Sequence, residues 1–207
     1  STQAKTLFPY TTLFRSLFIT LCLPDTVLIL ALIAVPMIAA YPWMKRVTQW
    51  PQLFLGITFN LSVLMAWAAT NNPLTLSAFL LYLAAILWTL AYDTIYAVQD
   101  MEDDARIGIL STARTLGITG VKQLATYCYS AVIALFVIIG ILNHMGFMYY
   151  MGVIGCAAHA RWQINQLPCT PQTAGILFRS NQWFSVTGRT VAVINWSERP
   201  NTKPSSN

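Results

Sequence analysis

The stretch LTLSAFLLYLAAILWTLAYDTIYAVQDMEDDARIG, residues 74–108, joins a long apolar run to the most acidic segment of the chain. The whole sequence has 207 residues and only seven Asp and Glu, of which five lie in this stretch: Asp93, Asp100, Glu102, Asp103 and Asp104. An apolar run of about 20 residues is long enough to cross a bilayer as a helix. The stretch therefore predicts a membrane helix that ends in a charged aqueous segment.

Composition extends this prediction to the whole chain. Hydrophobic residues make up 56% and charged residues 9% of the sequence, whereas soluble domains carry about 25% charged residues. Lipid offers no partner to unpaired backbone groups, so the membrane segments are expected to be helices. We predict an all-α, polytopic membrane bundle with apolar spans at 17–43, 52–70, 74–92, 123–142 and 146–162. Pro24, Pro36 and Pro42 are expected to kink or end the first span.

The net charge of +5 does not indicate nucleic-acid binding, because the basic residues occur between apolar runs. Connections on one side carry Lys45, Arg46, Arg106, Arg114, Lys122, Arg161 and Arg179, whereas the opposite connections, TNNPLT (70–75) and NHMG (143–146), carry none. Basic connections stay on the side from which the protein is inserted. The acidic 93–122 segment is therefore predicted on the cytoplasmic side of a bacterial inner membrane, or on the matrix side of the mitochondrial inner membrane.

The carboxylates have a spacing that suits metal binding. On one continuous helix, Asp93, Asp100 and Asp104 would fall within about 20° of one line, with Tyr96 on the same side and Asp103 beside them. Two such charges 4 Å apart repel by about 4 kcal/mol at an effective dielectric of 20. Arg106 alone cannot offset several such repulsions, whereas a divalent cation can. Oxygen ligands favour Mg²⁺ or Ca²⁺. The alternative is a solvated acidic loop without a ligand.

A second polar group, YPWMKR, follows the first span on the same predicted face. Lys45 and Arg46 of this group are suited to holding phosphate oxygens. The alternative is a Lys-Arg pair that serves only to orient the chain in the membrane.

Together, YPWMKRVTQWPQLFLGITFN (41–60) and LWTLAYDTIYAVQDMEDDARIGILSTARTLG (87–117) resemble the UbiA superfamily of intramembrane prenyltransferases, and best its 4-hydroxybenzoate polyprenyltransferase branch. The resemblance runs from about residue 24 to 184. It implies a bundle of nine helices in which two Asp-rich motifs bind Mg²⁺, and Mg²⁺ binds a polyprenyl diphosphate. Ionisation would leave an allylic cation, which the ring of 4-hydroxybenzoate attacks at the carbon next to its hydroxyl, in ubiquinone biosynthesis.

The resemblance also implies roles for single residues. The catalytic set is Asp100, Asp104 and Lys45. The metal set is Asp93, Asp100, Asp103 and Asp104, in which Asp100 and Asp104 are the paired aspartates of the second motif. The diphosphate set is Tyr41, Lys45, Arg46 and Arg106, in which Tyr41 and Lys45 match the YxxxK element of the family.

The sequence departs from the family pattern in several places. The first Asp-rich motif, NDxxDxxxD, is absent, and Leu110 stands where the family often has Lys. Residues 6–16, TLFPYTTLFRS, match the in-frame translation of a common sequencing adapter. We therefore expect a non-native segment at 1–16, part of a prenyltransferase domain at 17–184, and a disordered or frameshifted polar tail at 185–207. A fragment with about five of nine helices is expected to have little or no activity by itself.

Three other functions remain open on the sequence. One is prenyl transfer to another acceptor, in the menaquinone, haem or chlorophyll branches of the superfamily. Another is a cation or proton carrier, since acidic residues in membrane spans often mark ion paths. The third is a scaffold without catalysis. Cys22, Cys128, Cys156 and Cys169 form no metal-binding pattern and are expected to be apolar filling.

Overall fold

The computed structural model describes residues 23–182, and its regular secondary structure is entirely helical in this range. The helices are α1 (Asp25–Val47), α2 (Pro51–Ala68), α3 (Leu76–Tyr96), α4 (Met101–Ile107), α5 (Thr112–Leu142), α6 (Phe147–Asn165) and α7 (residues 171–182). The predicted all-α fold is confirmed. The predictions for residues 1–16 and 185–207, and for the start of the first span, lie outside the described residues.

Four of the helices between residues 23 and 182, namely α1, α2, α3 and α5, are long and apolar enough to cross a membrane. The chain is thus an integral membrane protein. The fifth predicted span forms helix α6 at the expected place, but α6 is less apolar than the other four. Its second half carries His159, Arg161 and Gln163, which lower its hydropathy.

The sequence predicted that Pro24, Pro36 and Pro42 kink or end the first span; the helix begins directly after Pro24, and the other two prolines do not end it. Helix α1 continues through Pro36 and Pro42 to Val47. Membrane helices tolerate proline when neighbouring groups or local adjustments satisfy the freed carbonyls.

Helix α5 has an internal break. Its regular geometry is interrupted at Gly117, whose φ of 65° and ψ of 172° are not helical. Glycine adopts this conformation at little cost because it has no Cβ.

Helix α3 lies at the centre of the bundle. It packs against α2 on one side and α5 on the other, while α1 lies outside α2 and α6 lies outside α5. Small residues allow these close contacts, as is common between membrane helices. A Cβ at Gly56 of α2 would lie only 3.1 Å from the carbonyl oxygen of Ile86 in α3. Trp88 of α3 packs against Tyr129 of α5, with ring centroids 4.7 Å apart.

The helices alternate in direction, and this brings distant polar segments to one end of the bundle. The last turn of α1, the first turn of α2, the last turn of α3 and the first turn of α5 all lie at that end. Helix α4 connects α3 to α5 there. We call this the acidic end. The fold thereby places YPWMKR beside the acidic segment, as the charge pattern predicted.

Candidate functional site

Helix α3 ends before the acidic cluster begins. The amides of Val98, Gln99 and Asp100 donate to carbonyls three residues earlier, at 3.2, 2.9 and 3.3 Å. These short-range bonds tighten the backbone into a turn after Tyr96, and a separate helix, α4, begins at Met101. The prediction of one continuous helical stripe through Asp93, Asp100 and Asp104 is therefore wrong, because α3 ends at Tyr96 and Asp100 and Asp104 belong to a separate helix.

Helix α4 nevertheless brings two of the predicted carboxylates together. Asp100 is the residue that precedes α4, and the amide of Asp104 donates to its carbonyl oxygen at 2.8 Å. Residues four apart lie on the same face of a helix, and the two carboxylates interact electrostatically. Asp100 is exposed and Asp104 is half-buried. Gly108, with a φ of 74°, ends α4 in the left-handed conformation.

Lys45 is the cation at the centre of this arrangement. It is half-buried in the last turn of α1. Its charge interacts with the carboxylates of both Asp93 and Asp104. Tyr41, one turn earlier on α1, interacts with Asp93 as well. Residues from α1, α3 and α4 therefore converge at the acidic end.

The electrostatic environment of Asp104 reflects this crowding. Its pKa is raised above the ordinary aspartate value, first because partial burial disfavours the charged form. Lys45 and Arg114 lower the pKa, whereas Asp100 and Asp103 raise it. The raised pKa of Asp104 thus reflects its partial burial, while the basic and acidic neighbours act on it in opposite directions.

Arg114 holds the end of α4 in place. Its guanidinium donates to the carbonyl oxygens of Asp104, at 3.2 Å, and of Ile109. Its own amide donates to the side-chain oxygen of Ser111 at 3.3 Å, which caps the start of α5. The sequence identified Arg114 only as a basic residue of the topology pattern. No spacing signal indicates that it binds backbone carbonyls.

A buried amide connects the starts of two helices near the site. The side-chain oxygen of Gln52, in α2, accepts from the amide and the hydroxyl of Thr112, in α5, at 3.0 and 2.7 Å. Both residues are buried. No sequence pattern indicated this contact, because a glutamine at the edge of a span is usually exposed to water.

The other predicted site residues are exposed. Asp103 and Arg106 pair with each other at 3.3 Å, with both side chains at least 75% exposed. Arg46 is also exposed. Within residues 23–182, no three acidic, histidine or cysteine side chains assemble as a ready metal-ligand set. The group that the fold assembles is therefore Tyr41, Lys45, Asp93, Asp100 and Asp104.

Comparison with known proteins identifies the family. The sequence model of the UbiA prenyltransferase family matches residues 1–183. The chain belongs to the UbiA prenyltransferase family. A solved structure, the apo structure of a UbiA homolog from Aeropyrum pernix K1, shares this fold, with a TM-score of 0.68 at 22% sequence identity. The similarity covers 82% of this chain and 64% of that one.

Curated UbiA relatives have more specific names. The chain is 41% identical over 159 residues to 4-hydroxybenzoate geranyltransferase 1 of Lithospermum erythrorhizon, which covers 76% of this chain and 52% of the relative. It is 40% identical over 166 residues to 4-hydroxybenzoate octaprenyltransferase of Klebsiella pneumoniae, and the match covers 78% of this chain and 55% of the relative. It is 38% identical over 152 residues to the mitochondrial 4-hydroxybenzoate polyprenyltransferase of Caenorhabditis elegans, and the match covers 72% of this chain and 42% of the relative. The chain thus spans about half the length of these relatives.

Proposed function

We propose that the protein transfers a polyprenyl group from a polyprenyl diphosphate to 4-hydroxybenzoate, as a step of ubiquinone biosynthesis. The observation that carries this proposal is the placement of Lys45 between Asp93 and Asp104, at the aqueous end of an apolar bundle. A polyprenyl diphosphate needs charged groups to bind its diphosphate and apolar helices to surround its hydrocarbon chain. The names of the curated relatives support 4-hydroxybenzoate as the acceptor.

The residues present fit a magnesium ion. Asp100 and Asp104 offer only carboxylate oxygens, the donors that Mg²⁺ prefers, and the two carboxylates lie close enough to interact electrostatically. Mg²⁺ characteristically takes one or two protein carboxylates and fills its remaining positions with water and substrate phosphates. Two carboxylates one turn apart meet that requirement, with Asp93 and Asp103 as supporting anions. When bound, Mg²⁺ would neutralise charge on the diphosphate as it leaves.

The other groups would bind and shield the substrate. The Lys45 ammonium would donate hydrogen bonds to phosphate oxygens, with the Tyr41 hydroxyl as a further donor. Arg46 and Arg106 are exposed and lie outside the assembled group, so they have no part in the proposed binding. Positive charge fixed near the leaving group stabilises the negative charge that develops there. The apolar helices exclude water from the allylic cation. They also accommodate the prenyl chain, whose burial contributes about 0.8 kcal/mol per CH₂.

The acidic end would face the cytoplasm of a bacterium or the mitochondrial matrix, as the distribution of Lys and Arg indicates.

The alternative function of a cation or proton carrier has less support. Among the described residues, Asp25 lies at the start of α1, Asp93 lies in the last turn of α3, and the other acidic residues lie at or within α4. An ion path needs polar groups through the middle of the bundle, and these carboxylates lie at helix ends.

The test is binding of geranyl diphosphate to the 207-residue chain in phosphatidylcholine nanodiscs, titrated with and without Mg²⁺. We expect Mg²⁺-dependent binding that weakens at least about tenfold when Asp100→Asn and Asp104→Asn are combined, because each lost charged contact contributes about 1.5–3 kcal/mol. Glu102→Gln removes a charge from the exposed face of α4 and is expected to change affinity less than twofold. Equal losses in both variants would refute the proposed site.

A second measurement addresses the reaction itself. Incubation of the same nanodiscs with geranyl diphosphate, Mg²⁺ and 4-hydroxybenzoate, followed by mass spectrometry, detects prenylated acceptor. We expect little turnover, because the sequence contains one Asp-rich motif where the resemblance implies two. Prenylation of a different aromatic acceptor in preference to 4-hydroxybenzoate would contradict the proposed specificity while leaving the diphosphate site intact.

A further inference from the structure

A polar cavity lies beside the acidic site but is separate from it. Its volume is about 270 Å³, and it opens between the turn that follows α3 and one face of α7. The lining residues are Gln99, Pro171, Gln172, Gly175, Ile176 and Arg179. None of them belongs to the proposed prenyl-transfer site. Gln99 directly precedes Asp100, which does not line the cavity.

The spacing of the lining residues explains how α7 forms one wall. Gln172, Gly175, Ile176 and Arg179 follow the i, i+3, i+4, i+7 pattern of a single helix face. Gly175 keeps this face open, because a Cβ at that position would lie 3.3 Å from the side-chain oxygen of Gln99. A larger residue would therefore fill the space between α7 and Gln99.

The polar groups of the cavity suit an oxyanion. Arg179 supplies a guanidinium, whose planar set of N–H donors matches phosphate oxygens. Gln99 and Gln172 add side-chain amides, which can donate to the same oxygens. Among residues 23–182, the only ion pair joins Arg106 to Asp103. The described part of the chain thus provides no carboxylate paired with Arg179.

Apolar side chains lie next to these polar groups. Ile176, which also lines the cavity, is 61% exposed, and Phe178 is 38% exposed. The Phe178 ring packs against Tyr92 and Tyr96 of α3, at centroid distances of 5.7 and 4.5 Å. A cavity with one arginine and exposed apolar neighbours resembles the basic pockets between membrane helices that bind lipid headgroups.

We propose that this cavity binds a phosphate group, with Arg179 as its cation and Gln99 and Gln172 as amide donors. The phosphate belongs either to an anionic phospholipid or to a free phosphate anion. This proposal does not rest on the prenyl-transfer function, because it involves a different cation and a different pair of elements. Its failure would leave the magnesium and diphosphate experiment unaffected.

The experiment has two arms that distinguish the sources of phosphate. In the lipid arm, the 207-residue chain is titrated with phosphatidylglycerol in detergent micelles, and bound lipid is counted by native mass spectrometry. In the free-anion arm, inorganic phosphate is titrated calorimetrically into the chain in phosphatidylcholine nanodiscs. Each arm compares the wild-type chain with Arg179→Gln and with Arg161→Gln, a matched loss of one exposed arginine that does not line the cavity.

We expect Arg179→Gln to weaken phosphate binding about tenfold in one of the two arms, and Arg161→Gln to change it less than twofold. Weaker binding by Arg179→Gln in the lipid arm assigns the cavity to a phospholipid headgroup. Weaker binding by the same variant in the free-anion arm assigns it to a soluble phosphate. Gly175→Val, which fills the cavity without changing charge, is expected to weaken binding in the same arm. If neither arm responds to Arg179→Gln more than to Arg161→Gln, the proposal is overturned. Circular dichroism spectra that match the wild type would show that each variant is folded.

Discussion

The amide of Leu110 donates to the carbonyl oxygen of Lys45 at 2.9 Å. This bond joins the last turn of α1 to the segment that follows α4, although the two residues lie far apart in the sequence. The bond holds the main chain of Lys45 next to the end of α4. The Lys45 ammonium interacts with the carboxylates of Asp93 and Asp104. The basic motif and the segment after the acidic helix are thus joined by a backbone hydrogen bond.

The first prediction separates Lys45 from its neighbour Arg46. Because Lys45 faces the carboxylates and Arg46 is exposed, Lys45→Gln is expected to weaken Mg²⁺-dependent geranyl diphosphate binding about tenfold, and Arg46→Gln by less than threefold. Equilibrium titration in phosphatidylcholine nanodiscs measures both. A larger loss for Arg46→Gln would show that the exposed side chain, not Lys45, is the main cation for the diphosphate.

The second prediction concerns the end of α4. Gly108→Ala is expected to lower the free energy of unfolding by about 1 kcal/mol, because Gly108 has a φ of 74°, a conformation unfavourable for residues with a Cβ. Gly155→Ala is the matched control, since a Cβ meets no neighbour within 4 Å at either glycine and Gly155 lies within helix α6. Unfolding in detergent micelles, followed by circular dichroism, compares them. Equal destabilisation would exclude backbone strain as the cause.

The third prediction tests the buried contact between α2 and α5. Gln52→Ala leaves the buried Thr112 amide without an acceptor and the Thr112 hydroxyl with only the Gln49 carbonyl oxygen at 3.4 Å, so we expect a loss of about 1–3 kcal/mol in the free energy of unfolding. Gln49→Ala serves as the control, because Gln49 contacts Thr112 only through its main-chain carbonyl. The same unfolding titration measures both variants. An unchanged midpoint for Gln52→Ala would mean that water replaces the lost acceptor.

The fourth prediction concerns a buried polar network between α5, α6 and α7. The Tyr129 hydroxyl donates to the side-chain oxygen of Gln163, whose amide donates to the carbonyl of Leu177 at 3.1 Å and to the Ser180 hydroxyl at 2.9 Å. Tyr129→Phe leaves the buried Gln163 oxygen without a donor. We expect this substitution to cost about 1–3 kcal/mol of unfolding free energy.

Tyr127→Phe is the control for this network, because Tyr127 is 74% exposed on the same helix. It is expected to change the free energy of unfolding by less than 0.5 kcal/mol, as surface substitutions usually do. Chemical unfolding in mixed micelles resolves a difference of this size. If the two Tyr→Phe variants behaved alike, the Gln163 oxygen would have another partner when the Tyr129 hydroxyl is absent.

Several features of the fold were predictable because they depend on local composition. The apolar runs correctly indicated α2 and α3 to within a few residues. Cys128, Cys156 and Cys169 are free and buried, as expected of apolar filling, whereas Cys22 lies outside the described residues. Helix α5 was predicted to start at 123 but begins at Thr112. Its first turns are less apolar than a membrane span, so hydropathy alone did not reveal them.

The sequence by itself determined that this protein is an all-helical membrane protein with an acidic segment after its third span and a basic motif after its first. Those properties follow from hydropathy, helix length and charge, which each segment carries independently of the others. Only the tertiary structure decided which carboxylates meet Lys45, and that Arg114 and Gln52 hold the surrounding segments. The physical reason is that α3 stops at Tyr96 and the chain turns, so the geometry of the site depends on hydrogen bonds between residues that are distant in sequence.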